Sequence, residues 1–97
     1  MHVIARRTLV DFYAKHDEAQ GHLEAGWHET KRADWSCPED IKKRYHTASF
    51  LAGNRVVFNI GGNRYRLLVK INYPTKTVFI RFVGTHSEYN RINAEDI

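Results

Sequence analysis

From Phe50 onward the apolar residues of this 97-residue chain recur at every second position, which commits the second half to strands. Val56, Phe58 and Ile60 share one side of a strand that ends at Gly61-Gly62, a strong signal for a tight hairpin. In the long strand that follows, Tyr65, Leu67, Val69, Ile71 and Tyr73 alternate with Arg64, Arg66, Leu68, Lys70 and Asn72, so one face is apolar and the other largely cationic or amide-bearing. Pro74-Thr75-Lys76 turns the chain again. Val78, Ile80 and Phe82 are then expected on the core side of a last strand, with Phe79, Arg81 and Val83 opposite and Gly84 closing it.

Ahead of Phe50 the period is helical. Residues 2–5 read as a short strand, and Leu9, Phe12, Tyr13 and His16 fall at the 3/4 spacing of one helix stripe. Asp17 with Gln20 resembles a capping box, after which Leu23 and Trp27 carry a second helix toward Arg32; Gly21 and Gly26 make it intrinsically weak. Ser36 and Glu39 form another capping-box pattern, with Pro38 in the first turn of a short helix through Ile41 toward Tyr45. His86 to about Ile92 reads as a short terminal helix or turn. The order of strand, helices and three-stranded antiparallel meander predicts an α+β domain over residues 1–97, its helices packed on one face of a small sheet. At 42% hydrophobic residues the core is modest and a second domain is not expected.

Several function classes drop out. The single Cys37 cannot build a disulfide framework, no Cys-x-x-Cys pair suggests structural zinc, and Cys37 has no neighbour in sequence that would activate it as a nucleophile. The N-terminus turns basic at Arg6-Arg7 without a sustained apolar run, so neither a signal peptide nor a membrane span is expected and the reducing cytoplasm is the natural compartment. No metal and no cofactor is predicted: His22 and His28 are at i, i+6, and Trp27-His28-Glu29 lacks the second histidine of a His-Glu-x-x-His site. Gly61-Gly62-Asn63 lacks the spacing and the Lys-Ser/Thr of a P-loop.

Charge points to a polyanion. Residues 1–49 hold 8 Lys/Arg against 8 Asp/Glu, whereas residues 50–97 hold 7 against 3, so the whole net charge of +4 sits in the second half. With hairpin loops of even length, Asn59, Arg64, Arg66, Lys70, Asn72 and Arg81 share the face opposite the core. A solvated outer face would account for the charges alone. Leu68, Phe79 and Val83 among them argue for more, since apolar groups that pack on bases beside guanidinium groups that take phosphates suit single-stranded RNA. Just beyond the last strand, His86 and Tyr89 at i, i+3 share one helical side close to Arg81. A histidine beside arginines fits RNA cleavage without a metal, in which a base takes the 2′-hydroxyl proton, cations stabilise the phosphorane and an acid protonates the leaving 5′-oxygen. A lone histidine is more often a cap or packing residue. Tyr89, whose side-chain type titrates near ~10, is better suited to positioning than to acting as a base.

At Val57-Phe58-Asn59-Ile60-Gly61-Gly62-Asn63-Arg64-Tyr65-Arg66 and again at Ile80-Arg81-Phe82-Val83-Gly84-Thr85-His86-Ser87-Glu88-Tyr89 the chain resembles the HigB-type mRNA interferases of the RelE superfamily. The resemblance runs from the opening strand to about Arg91 and is carried by the second half. It implies a RelE-like fold that enters the A site of the 70S ribosome, cleaves mRNA there without a metal and arrests translation. It also implies neutralisation by a HigA-like helix-turn-helix antitoxin, the free toxin being a monomer. Carried over by position, Arg66 and Arg81 are the cationic strand residues, His86 and Tyr89 the terminal pair, and Asn59, Arg64, Lys70 and Asn72 RNA contacts. A non-catalytic ribosome- or RNA-binding inhibitor built on the same face is the competing reading.

Overall fold

The glycine pair does turn the chain: Gly61 and Gly62 take φ of +61° and +65°, and Asn63 follows at +96°, a left-handed region that residues with a Cβ rarely enter. In the computed structural model, which describes residues 1–97, this turn joins β3 (Arg55–Ile60) to β4 (Tyr65–Asn72), paired antiparallel from Ile60↔Tyr65 to Arg55↔Lys70. Residues 73–76 turn into β5 (Thr77–Thr85), antiparallel to β4. The meander is the centre of a larger sheet. A short β2 (Ser49–Leu51) adds to β3, and β1 (His2–Ile4) lies parallel to β5, giving five strands in the order β1-β5-β4-β3-β2. The sheet is therefore mixed, not purely antiparallel. A parallel pair needs a long crossover, and the first-half helices supply it: α1 (Arg6–Tyr13), a 3-10 turn (Asp17–Ala19), α2 (Gln20–Arg32) and α3 (Pro38–Arg44).

These helices bury their apolar stripes on one face of the sheet. Trp35, Ile41 and Ala48 pack with Val56, Phe58, Val69, Ile71 and Val78, while Leu9, Ala19 and Leu23 pack around Tyr65 at the other end. The Tyr65 hydroxyl donates to the Glu18 carboxylate, tying the 3-10 turn to the sheet and drawing the Glu18 pKa below its ordinary value. Neither expected capping box closes. The 3-10 turn intervenes, so α2 begins at Gln20 with no side-chain cap. Cys37 precedes α3, and Asp40 rather than Glu39 reaches back, accepting from the Ser36 N–H at 2.9 Å.

The last strand breaks the expected alternation. Leu68 pairs with Phe82 but Val69 pairs with Ile80, so Arg81 is an extra residue in a β-bulge. Both hairpins satisfy the even-loop condition, but an inserted residue resets the faces beyond it. Val83, paired with Leu67, joins the helix-covered core, and Phe82 moves to the outer face with Phe79. The expected sides of Phe82 and Val83 are thus exchanged.

The outer face is not bare either. Val57 and Leu68 lie on it but are 4% and 0% exposed. The terminal helix α4 (His86–Tyr89) stands where β4 begins, and the Arg55 Nε at the opposite end of the sheet donates to the Ile97 carbonyl at 2.7 Å. Residues 90–97 consequently run from α4 toward Arg55 at the opposite end, with Ile92 and Ile97 half-buried.

Candidate active site

Strand register decides which charged side chains meet. Asn59 pairs with Arg66, Arg66 with Gly84, Lys70 with Phe79 and Asn72 with Thr77, so Asn59, Arg66, Lys70 and Asn72 share the outer face. Arg81 keeps to that face at the bulge, where it lines a shallow cleft with Lys70, Asn72 and Phe79. Arg64 is not a strand residue; it sits in the hairpin turn, exposed, and its carbonyl accepts the His86 N–H at 3.0 Å. The predicted residues therefore form two groups along β4. Asn59, Arg64, Arg66, His86 and Tyr89 gather where β4 begins, and Lys70, Asn72 and Arg81 gather toward its end. Leu68 is sealed between them and Val83 has turned inward, so of the three apolar groups expected among the arginines only Phe79 remains available there.

What holds His86 is a capping box that sequence reasoning passes over, although Thr85-His86-Ser87-Glu88 spells the pattern. The Thr85 hydroxyl accepts from the Glu88 N–H at 3.2 Å, and the Glu88 carboxylate accepts from the Thr85 N–H at 2.8 Å. Thr85 is itself locked to Tyr65 in the ladder. A four-residue helix has almost no stability of its own, so these bonds and the tie to Arg64 decide where His86 points. His86 is exposed at the first helical position; Tyr89 is half-buried, its ring 6.4 Å from that of Phe82. Gly84 lets this corner close. A Cβ there would lie 2.5 Å from the Phe82 ring and 3.0 Å from the Glu88 carboxylate.

The Thr85 N–H bond holds the Glu88 pKa below the usual carboxylate range. A depressed folded-state pKa means that the bond's contribution is complete above the unfolded value, about 4.3 for Glu, and is lost as pH falls through the lower folded value. Protection of the residue 86–89 amides relative to their intrinsic exchange rates is therefore expected to fall on acidification below pH ~4, and Glu88→Gln to remove that response. Thr85→Ala is expected to cost α4 about 1 kcal/mol at every pH. An acid response retained in Glu88→Gln would show that another group anchors the helix.

No three His, Cys, Asp or Glu side chains come together in a way that would hold a metal ion. No helix is long and apolar enough to cross a membrane. The chemistry on offer at the α4 end is an imidazole and a phenol beside guanidinium groups on an exposed sheet surface. A family model described as HigB_toxin, the RelE-like toxic component of a toxin-antitoxin system, matches residues 19–92. The chain belongs to the HigB toxin family. Among its relatives, the mRNA interferase HigB of Escherichia coli O6:H1 strain CFT073 is 26% identical over 94 residues, which cover 95% of this chain and 91% of that protein. The mRNA interferase toxin HigB of Escherichia coli K12 and the mRNA interferase HigB of Shigella flexneri are each 27% identical over 96 residues, covering 97% of this chain and 92% of theirs. As a RelE-like toxin, this HigB-family chain has an antitoxin as its partner. The mixed sheet with crossover helices and a short terminal helix is compatible with that fold.

Proposed function

We propose that this HigB-family toxin is an endoribonuclease that cuts translated mRNA in the ribosomal A site by side-chain chemistry without a metal, and that a HigA-like helix-turn-helix antitoxin silences it. The observation that carries this reading is the capped α4, which fixes His86 and Tyr89 at the end of the sheet where Arg66 stands on the outer face. Arg66 stands on β4 and Arg81 at the bulge of the neighbouring β5, both on the outer face. In this reading they clamp the scissile phosphate and stabilise the charge of the phosphorane. His86 moves a proton, either from the 2′-hydroxyl or to the 5′-oxygen, and Tyr89 positions the nucleotide. Asn59 and Arg64 take backbone contacts beside them, and Lys70 and Asn72 hold the strand further along.

The site is open, and only one of its side chains is a natural proton carrier near neutral pH. Alignment therefore falls to the ribosome, in the cytoplasm, with residues 1–97 acting as one toxin domain that is monomeric when free. Purified toxin is expected to cut a ribosome-bound message at least ~100-fold faster than the same RNA free in solution, the scale on which lost alignment slows a reaction. Equal rates on the two substrates would defeat the ribosome-dependent reading.

A further inference from the structure

The cleft at the far end of β4 holds more than phosphate chemistry requires. It is lined in part by Asn54, Lys70, Asn72, Pro74, Phe79 and Arg81, and no acidic side chain borders it. Phe79 is the one aromatic ring among the lining residues and is the cross-strand partner of Lys70. The amide of Asn72 has a fixed sense: its Oδ1 accepts the Thr75 N–H at 3.1 Å, which leaves the NH2 end, a double donor, as the free end. Beside it Lys70 and Arg81, both exposed, offer only donors. A planar ring bordered by donors suits a base whose accessible edge carries acceptors alone. Guanine presents O6 and N7 as adjacent acceptors, whereas adenine presents N7 next to an N6 amine that would face these donors N–H to N–H. Guanine also offers a larger stacking surface than a pyrimidine.

We propose that this cleft is a base-reading subsite for guanine, the ring stacked on Phe79 and its O6/N7 edge receiving N–H groups from Asn72 and Lys70. The inference rests on the reading of the outer face as an RNA surface. It places the base-reading groups away from the Arg66 end of the site, because Lys70 is four residues beyond Arg66 on β4, a span of roughly 13 Å, and leaves Arg81, at the border of the cleft, to the phosphate. The base read there is a neighbour along the strand and not the one at the cut.

The test uses mononucleotides, which contain no bond for the toxin to cleave, so its result stands even if the proposed cleavage fails. Guanosine 5′-monophosphate, adenosine 5′-monophosphate and ribose 5-phosphate are titrated into the isotope-labelled full chain, and the NMR signals of the Asn72 side-chain NH2 and the Phe79 ring are followed. The guanosine nucleotide is expected to move both signals, with about tenfold tighter binding than the adenosine nucleotide, the scale of one good base-edge pairing. Asn72→Asp, of nearly the same shape, is expected to erase the preference with an unchanged thermal transition. Equal affinity for the two nucleotides overturns the proposal. So do identical shifts with ribose 5-phosphate, which would leave a phosphate site only, or an absence of shifts at Phe79.

Discussion

His86→Ala leaves a folded toxin that no longer cuts. General acid–base assistance is worth about 10²–10⁴-fold in rate, and His86 is the one imidazole that the Thr85–Glu88 cap sets at the Arg66 end of the outer face, so a loss on that scale is expected. Its side chain is exposed, so the thermal transition is expected to stay within ~0.5 kcal/mol of wild type. Mapping mRNA 5′ ends in a translation extract, with and without an inhibitor that blocks the A site, reads the effect directly. Wild-type protein is expected to produce translation-dependent ends within codons, and His86→Ala to produce none. Unchanged cutting by the variant would remove His86 from the mechanism. Arrested translation without new ends, from wild type and variant alike, would instead mean that the toxin works by occupying the site. Arg66→Glu and Arg81→Glu are expected to abolish toxicity in both cases, because each sets an anion where a phosphate must lie.

The parts of this architecture that were legible in the sequence are those set by periodicity. The apolar alternation from Val56 to Ile60 and from Tyr65 to Tyr73 gives β3 and β4, and the stripe of Leu9 and Leu23 gives the packed side of α1 and α2, because burial selects side chains one residue at a time along a regular backbone. Pairings are another matter. Nothing in residues 2–5 states that β1 runs parallel to β5, since strand partnership is decided by distant residues. The bulge at Arg81 leaves the composition of β5 unchanged and shifts only its phase, so plain alternation exchanges the sides of Phe82 and Val83. The capping boxes show the same limit. Thr85-x-x-Glu88 closes where Asp17-x-x-Gln20 and Ser36-x-x-Glu39 do not, because Thr85 is already held in the ladder by Tyr65.

Leu68 is where sequence and structure make opposite quantitative claims. Read as one apolar group on a polar outer face, it would tolerate truncation within ~0.5 kcal/mol, as surface positions do. In the fold it is completely buried, between Val57 on β3 and Phe82 on β5. Leu68→Ala is therefore expected to cost about 2–5 kcal/mol, the range for a leucine removed from a packed interior. For a domain of this size that is a drop in Tm of at least roughly 8 °C, readable by calorimetry or circular dichroism. Asn59→Ala, exposed on the same face, serves as the control and is expected to change little. Arg55→Ala, which removes the hydrogen bond to Ile97, is expected to cost about 1 kcal/mol and to raise amide exchange along residues 90–97. A neutral Leu68→Ala would mean that Leu68 is not packed in solution and that its side of the sheet is open. A costly one means that Leu68 belongs to the packed interior, so the RNA contacts of this face come from the polar side chains around it and from Phe79 and not from Leu68.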